Sequence, residues 1–102
     1  MHPSCRILVT SFFEKDLRRQ SKKDQKILKA IEKLKEVLEA DPYNLSRRFD
    51  IKKLKGIKPG EGQFRIRIKH YRLRYDIFGQ DVVLYSFRHR KDMRSNNNRR
   101  KI

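Results

Sequence analysis

Cationic and apolar side chains alternate along residues 64–75, and this alternation is the clearest chemical signal in the sequence. The apolar positions are Phe64, Ile66, Ile68, Tyr71, Leu73 and Tyr75. The positions between them hold the cations Arg65, Arg67, Lys69, Arg72 and Arg74. Because successive side chains of a β-strand point to opposite faces, the pattern predicts a hairpin with one apolar and one cationic face. Guanidinium groups bind phosphate through paired hydrogen bonds, so the cationic face is predicted to recognise a polyanion.

The overall charge favours the same interpretation. The chain carries a net charge of +16. Residues 1–50 contain 12 Lys or Arg and 8 Asp or Glu, whereas residues 51–102 contain 16 and 4. Like charges opposite each other on adjacent strands repel, and a bound polyanion would relieve that repulsion. RNA is the partner that this charge favours, and an acidic protein segment or a merely solvated, salt-screened surface is the alternative.

Two of the three histidines, His70 and His89, and the single cysteine are further residues whose side chains could take part in chemistry. His89 could act as an acid or a base, because the unperturbed pKa of histidine is near neutrality, or it could be a strand-end residue that contacts backbone. His70 is a second acid or base candidate, although its position at the hairpin turn favours a solvated turn residue. The single cysteine, Cys5, cannot form an intrachain disulfide and is expected to be passive, because no base is framed near it.

The length and hydropathy of the chain limit the class of protein. With 102 residues, it is expected to form one small domain over residues 1–94, followed by a basic, flexible tail over residues 95–102. It contains no run of 18 apolar residues and no signal-peptide pattern at its start, so a cytoplasmic location without membrane contact is expected.

The N-terminal half predicts one strand and two helices. Residues 6–10 form a short β-type run, and Ser11 with Glu14 has the spacing of a helix capping box. Ser21 with Asp24 predicts a second helix start, and this helix should end near Ala40, before Asp41 and Pro42. Its predicted apolar stripe is Ile27, Leu28, Ile31, Leu34, Val37 and Leu38.

The C-terminal half predicts three strands. Residues 43–63 form a long connection with a short ordered stretch at 51–54, and residues 82–87 form a third, more continuously apolar strand after the hairpin. The predicted fold is therefore α+β with the order β-α-α-β-β-β. A helical hairpin should pack on the apolar face of a small, mostly antiparallel sheet.

Three segments resemble the RelE/ParE superfamily of toxin–antitoxin toxins. Residues 63–77 are similar to the central hairpin of RelE-like toxins, in which a basic strand precedes a Tyr-Arg-Leu-x-Tyr strand. Leu54-Lys55-Gly56 resembles the Leu-x-Gly element of the family, and residues 82–92 resemble its last strand with a His-Arg-basic-Asp ending. The resemblance covers residues 6–94 in element order and residues 54–92 in motif.

The resemblance implies a RelE-like fold and a toxin that cleaves mRNA in the ribosomal A site until an antitoxin silences it. The 2′-hydroxyl would attack the adjacent phosphate, without a metal or cofactor. The catalytic residues that it implies are Arg72, Arg90, Arg65 and Arg67, and His89 is the remaining candidate for an acid or a base. The residues expected to bind RNA phosphates are Lys69, Arg74, Arg88, Lys55, Lys91 and Arg94.

Two departures from the family pattern bear on the chemistry. Arg65 and Arg67 occupy positions that lysines hold in the best-known members, and arginine is too weak an acid to become a general base. No tyrosine follows the His89-Arg90 element, where the family often has one. Two other functions stay open on the sequence: inhibition of DNA gyrase, as in the ParE branch, and RNA binding without catalysis.

Overall fold

The computed structural model describes residues 5–91, and every structural statement below concerns that part of the chain. Arg94 and the predicted tail at 95–102 lie outside it. The elements are β1 (Arg6–Val9), α1 (Ser11–Lys23), α2 (Lys26–Ala40), β2 (Ile51–Lys53), β3 (Phe64–Ile68), β4 (Tyr71–Phe78) and β5 (Asp81–His89). The predicted α+β class is confirmed: two helices pack against one mixed sheet of five strands. The prediction missed β2, which it treated as an ordered stretch of the connection.

The sheet has the order β1-β5-β4-β3-β2. β1 pairs with β5 in parallel, and the other neighbours are antiparallel. Two-residue turns connect β3 to β4 and β4 to β5, at residues 69–70 and 79–80. β5 therefore lies in the interior of the sheet, which explains its apolar sequence. It also extends through Arg88 and His89, two residues beyond the strand predicted at 82–87.

The core lies between the helices and the apolar face of the hairpin, as the alternation predicts. The buried side chains are Phe13, Ile27, Ile31, Leu34, Leu38, Ile66, Leu73, Tyr75, Val82, Leu84 and Phe87. Each buried aliphatic or aromatic side chain contributes about 1.5–3 kcal/mol relative to an exposed one. Leu28 is a correction, because it remains 48% exposed at the margin of the α2 stripe.

The helix starts differ from those predicted. α1 is capped by Thr10 rather than Ser11, since the Thr10 Oγ1 accepts a hydrogen bond from the Phe13 amide at 3.1 Å. Ser21 lies inside α1 instead of starting α2. Asp24 does act at the α2 start, where its Oδ1 accepts from the Lys26 amide at 3.0 Å. α2 ends at Ala40, as predicted.

Beyond the end of β1, Thr10 and helix α1 form hydrogen bonds with the backbone of β5. The Thr10 amide donates to the Leu84 carbonyl at 3.0 Å, and the Thr10 hydroxyl donates to the Tyr85 carbonyl at 2.6 Å. Further along β5, the Phe87 amide donates to Oδ2 of the buried Asp16 at 3.0 Å. Side chains of α1 thus satisfy backbone groups that would otherwise be buried and unpaired. None of the helices within residues 5–91 is long and apolar enough to cross a membrane.

Candidate nucleic-acid interface

Three arginines form a row across the sheet face that the helices leave uncovered. Arg67 on β3 is the direct partner of Arg72 on β4, and Arg72 is the direct partner of Arg88 on β5. Partners of this kind share a face and are near neighbours, with Cβ atoms about 4.5–5.5 Å apart. The strands therefore hold three guanidinium groups side by side, which we call the arginine row.

A carboxylate stands at each end of the arginine row. The Arg67 Nε is 3.7 Å from Oδ2 of Asp50, and the Arg88 Nε is 3.9 Å from Oδ2 of Asp16. Both distances are too long for hydrogen bonds, so the carboxylates attract the arginines without fixing them. Arg72, at the centre of the row, has no ion pair with a carboxylate within residues 5–91.

The position of Arg72 is electrostatically unfavourable for a cation. Burial lowers the pKa of the Arg72 guanidinium, and repulsion from Arg67, Arg65 and Arg90 lowers it further, whereas the more distant Asp50 raises it. A guanidinium stays charged even so. A bound anion would therefore be stabilised most strongly at Arg72, where the cationic groups converge.

A shallow pocket of about 50 Å³ lies beside the row. It is lined by Arg67, Lys69, His70, Tyr71, Arg72 and Arg90. The amide of Arg90 donates to the His70 carbonyl at 2.9 Å, which ties the end of β5 to the β3–β4 turn. Three of the five predicted catalytic residues, Arg67, Arg72 and Arg90, therefore meet around one pocket.

Arg65 occupies a different environment from the other predicted catalytic arginines. Its side chain is buried, with a relative exposure of 9%, and its Nη1 is buried without a hydrogen-bond partner among the described residues. The Arg65 Nη2 is 3.6 Å from Oδ1 of Asp50. A buried guanidinium needs a nearby anion, and Asp50 supplies one. Asp50 thus connects the buried Arg65 to Arg67 of the row, and direct contact between Arg65 and RNA stays an untested prediction.

Arg74 is held away from the row by the loop before β3. Its Nε donates to the Gly62 carbonyl at 3.0 Å and its Nη2 donates to the Glu61 carbonyl at 2.6 Å. Its guanidinium also lies 5.8 Å from the centre of the Tyr85 ring. The same loop is fixed by the buried Asp76, whose carboxylate accepts from the amides of Gly62 and Gln63. Arg74 therefore has a structural role, and phosphate binding by it has not been tested.

His89 points away from the arginine row. Its direct partner on β4 is Tyr71, so it shares the helix-side face, and its ring contacts the Tyr71 ring edge-on at 5.0 Å. The His89 Nδ1 accepts a hydrogen bond from the Lys91 amide at 3.1 Å. A neutral imidazole has one acceptor nitrogen, so the basic nitrogen of His89 is already occupied. The structure does not bring His89 together with Arg72.

The remaining predicted phosphate ligands are peripheral. The alternation placed Lys69 on the cationic face of the hairpin. In the structure β3 ends at Ile68, and Lys69 lies in the following turn with φ of 52°. Its exposed side chain still borders the pocket. Lys55 is exposed in the turn after the edge strand β2, and Lys91 is exposed just after β5. Arg94 lies outside the described residues.

Neither of the two carboxylates beside the row was predicted from the sequence. Asp50 stands opposite Arg67, whose amide donates to the Asp50 carbonyl at 3.0 Å just beyond the β2–β3 pairing. If β2 had been predicted as a strand, the spacing of Asp50 and Lys52 would have placed Asp50 on the cationic face. Asp16 reaches the row from α1, 71 residues away from its backbone partner Phe87. No local signal connects those positions.

Comparison with known proteins agrees with this architecture. The sequence model of the family described as "ParE toxin of type II toxin-antitoxin system, parDE" matches residues 7–94. No protein of curated function matches the chain significantly in sequence.

Solved structures of toxin–antitoxin complexes contain chains with the same fold. A chain of the RelB–RelE antitoxin–toxin complex from Methanococcus jannaschii is 26% identical, with a TM-score of 0.68 over 85% of this chain and 94% of that one. A chain of the RelBE2 complex from Mycobacterium tuberculosis is 24% identical, with a TM-score of 0.67 over 85% and 99%. The corresponding values for the archaeal RelE–RelB complex from Pyrococcus horikoshii are 19%, 0.67, 85% and 96%. From the family match across nearly the whole chain and the shared fold, it follows that this protein belongs to the ParE toxin family of type II toxin–antitoxin systems, within the RelE/ParE superfamily.

Proposed function

We propose that this toxin inhibits translation by cutting mRNA in the ribosomal A site. The observation that carries the proposal is the arginine row, whose central residue, Arg72, has no ion pair with a carboxylate within residues 5–91. Arg67, Arg72 and Arg90 surround a pocket that is open to solvent and small enough to contact a single phosphate group. A protein that only bound nucleic acid through its net charge would not need three arginines converging on one point.

The chemistry is an in-line transfer at phosphorus. The 2′-hydroxyl of one nucleotide attacks the adjacent phosphate, and the 5′-oxygen of the next nucleotide leaves. Negative charge increases on the phosphate oxygens during this step, and fixed cations stabilise it without having to reorganise. Arg72 would contact those oxygens directly, with Arg67 and Arg90 on either side. Ribosome-bound mRNA would supply the in-line geometry that a small, shallow pocket cannot impose alone.

An antitoxin is the expected regulatory partner. The similar chains in the M. jannaschii, M. tuberculosis and P. horikoshii structures come from toxin–antitoxin complexes. Carboxylates of an antitoxin segment would replace the RNA phosphates at Arg72, because both groups accept paired hydrogen bonds from a guanidinium. Such a segment would neutralise the row and exclude mRNA from it.

Gyrase inhibition is the second candidate function. The match to the ParE family model favours it, because the ParE branch of the superfamily is the one that inhibits gyrase. The pocket between Arg67, Arg72 and Arg90 favours mRNA cleavage instead, since inhibition of gyrase by binding requires no phosphate-sized site.

One pair of assays separates these functions. The purified toxin is added to a translation reaction programmed with a defined mRNA, and new RNA ends are mapped with and without ribosomes. The same preparation is added to a DNA supercoiling reaction with gyrase. Discrete ribosome-dependent cuts in the reading frame, with gyrase unaffected, are the expected result. Intact mRNA together with blocked supercoiling would reject mRNA cleavage in favour of the ParE-type activity. Intact mRNA with RNA binding alone would leave a non-catalytic binder.

A further inference from the structure

The proposed reaction requires a group that removes the proton of the 2′-hydroxyl, and the arginines of the row cannot do so. Guanidinium groups keep their protons at any pH at which the protein folds. His89 lies on the other face of the sheet, and its acceptor nitrogen is bonded to the Lys91 amide. Tyr71 points to the core side, where it stacks on Phe87 with ring centres 5.0 Å apart. His70 lines the pocket and is one alternative for the base, and a carboxylate on the cationic face is the other.

Asp50 has the chemistry and the position for this role. It stands opposite Arg67 at the edge of the cationic face, and its side chain is 55% exposed. Its two oxygens lie 3.6 Å from Arg65 Nη2 and 3.7 Å from Arg67 Nε. Because neither contact is a hydrogen bond, lone pairs of the carboxylate remain available to a hydroxyl group.

Arg67 connects Asp50 to the phosphate pocket. The Arg67 side chain lines the pocket beside Arg72 and also faces the Asp50 carboxylate. A base and a charge-stabilising cation must act on atoms of the same nucleotide step, the 2′-oxygen and the adjacent phosphate. Asp50 and Arg72 flank Arg67 on the same sheet face. The proposed base and the cation that stabilises the phosphate therefore lie on either side of Arg67.

Resting on the proposed mRNA cleavage, we propose that Asp50 is the general base of this toxin. The Asp50 carboxylate takes the proton as the bond between the 2′-oxygen and hydrogen breaks. The 2′-oxygen forms a bond to the adjacent phosphorus, and the bond from phosphorus to the 5′-oxygen breaks. The 5′-oxygen takes a proton from water, and the hydroxide left behind takes the proton held by Asp50. The products are a 2′,3′-cyclic phosphate and a 5′-hydroxyl, and the Asp50 carboxylate is restored. Arg65 is then a positioning residue, which holds Asp50 through their ion pair.

The test compares Asp50→Ala and Asp50→Asn with Glu61→Gln in cleavage of mRNA on isolated ribosome complexes. Glu61→Gln also removes one exposed carboxylate, so it controls for the change in net charge. Both Asp50 variants should fold and bind RNA at least as tightly as the wild type. They should cleave about 10²–10⁴-fold more slowly, the usual contribution of a general base.

Added carboxylates distinguish a base from a structural anion. Formate, acetate and propionate are tested on Asp50→Ala at constant ionic strength, with chloride as the control. Cleavage should recover in proportion to the basicity of the added carboxylate, and chloride should have no effect. Equal recovery with all anions, wild-type rates in the Asp50 variants, or unfolding of both variants would each overturn the proposal. Absence of cleavage by the wild type, by contrast, would reject the proposed function itself.

Discussion

Arg67 and Arg72 are direct partners on adjacent strands, so two guanidinium groups project from opposed positions on one sheet face. Like charges placed in this way destabilise a sheet. Arg88 continues the row on the next strand, and within residues 5–91 the flanking carboxylates form ion pairs with Arg67 and Arg88 but not with Arg72. The folded toxin therefore retains an electrostatic repulsion that binding of an anion at Arg72 removes.

Replacement of Arg72 should affect the rate of cleavage more than RNA binding. We expect Arg72→Ala to cleave about 10²–10³-fold more slowly in the mapped translation reaction, since one donor to a developing oxyanion is worth that much. RNA binding should weaken only slightly, because Arg72 is one of several phosphate contacts. Arg18→Ala, an exposed arginine on α1, is the matched control and should cleave like the wild type. Equal losses in binding and cleavage would reject a transition-state role for Arg72.

The salt dependence of RNA affinity should report the number of phosphates that the arginine row neutralises. For single-stranded RNA, each neutralised phosphate contributes about −0.7 to the slope of log K against log salt concentration. We expect Arg67→Gln to make that slope shallower by about 0.7, measured by fluorescence anisotropy with a 2′-O-methyl RNA that cannot be cleaved. Lys22→Gln, on the helix side, should leave the slope unchanged. The idea fails if both variants give the wild-type slope.

Asp16 should be a major contributor to stability. It is buried, accepts from the Phe87 amide at 3.0 Å and from Arg19 Nη2 at 2.7 Å, and lies near Arg88. Removing it leaves a buried amide without a partner, so we expect Asp16→Ala to lower the free energy of unfolding by about 1–3 kcal/mol. Urea denaturation measures this, with the exposed Glu36→Ala on α2 as the control. An unfolding midpoint equal to that of the control would contradict the prediction.

The glycines of the loop before β3 provide a matched pair of variants. Both Gly60 and Gly62 have positive φ, of 92° and 79°, but only Gly62 is crowded. A Cβ atom on Gly62 would approach the Arg74 Cβ to 2.8 Å, whereas one on Gly60 would meet nothing within 4 Å. We expect Gly60→Ala to cost about 1–2 kcal/mol from backbone strain. Gly62→Ala should cost about 1–3 kcal/mol more from overpacking. Thermal unfolding that ranks them in the opposite order would contradict this assignment.

The elements with a strong repeat could be predicted from the sequence. Alternation with period two placed Arg67 and Arg72 on one face, and helical spacing identified the buried side of α2. Asp41-Pro42 marked the end of that helix. These signals are local, because each follows from how side chains project from a regular backbone.

The parts that could not be predicted depend on contacts between distant residues. β2 has three residues and becomes a strand only because β3 offers it a pairing edge. Burial of Arg65 follows from the chain around it, although its spacing is the same as that of the exposed Arg67. His89 carried the right chemistry, but the strand register turned it to the helix side. The pairing of β2 with β3 likewise places Asp50 opposite Arg67, which the sequence of either strand alone does not reveal.

Acid should weaken the connection after α2 through Asp41. Hydrogen bonds from the Ser46 hydroxyl and the amides of Leu45 and Ser46 stabilise the Asp41 carboxylate, and its pKa is lowered from the ordinary 3.8, chiefly by Ser46. A lowered pKa in the folded state adds stability above the unfolded value, and this stability is lost as pH falls through the folded value.

Ser46→Ala should therefore destabilise the protein at pH 7 and lose its effect in strong acid. We expect a difference in unfolding free energy of about 0.5 kcal/mol at pH 7, at the low end for a hydrogen bond because the site is solvent-accessible. The difference should shrink progressively below about pH 4, where Asp41 becomes protonated. Ser21→Ala is the control, because the Ser21 hydroxyl donates to the Arg18 carbonyl at 3.0 Å and involves no carboxylate. Thermal unfolding from pH 2.5 to 7 provides the comparison, and a Ser46→Ala curve parallel to that of Ser21→Ala throughout would refute the role of Asp41.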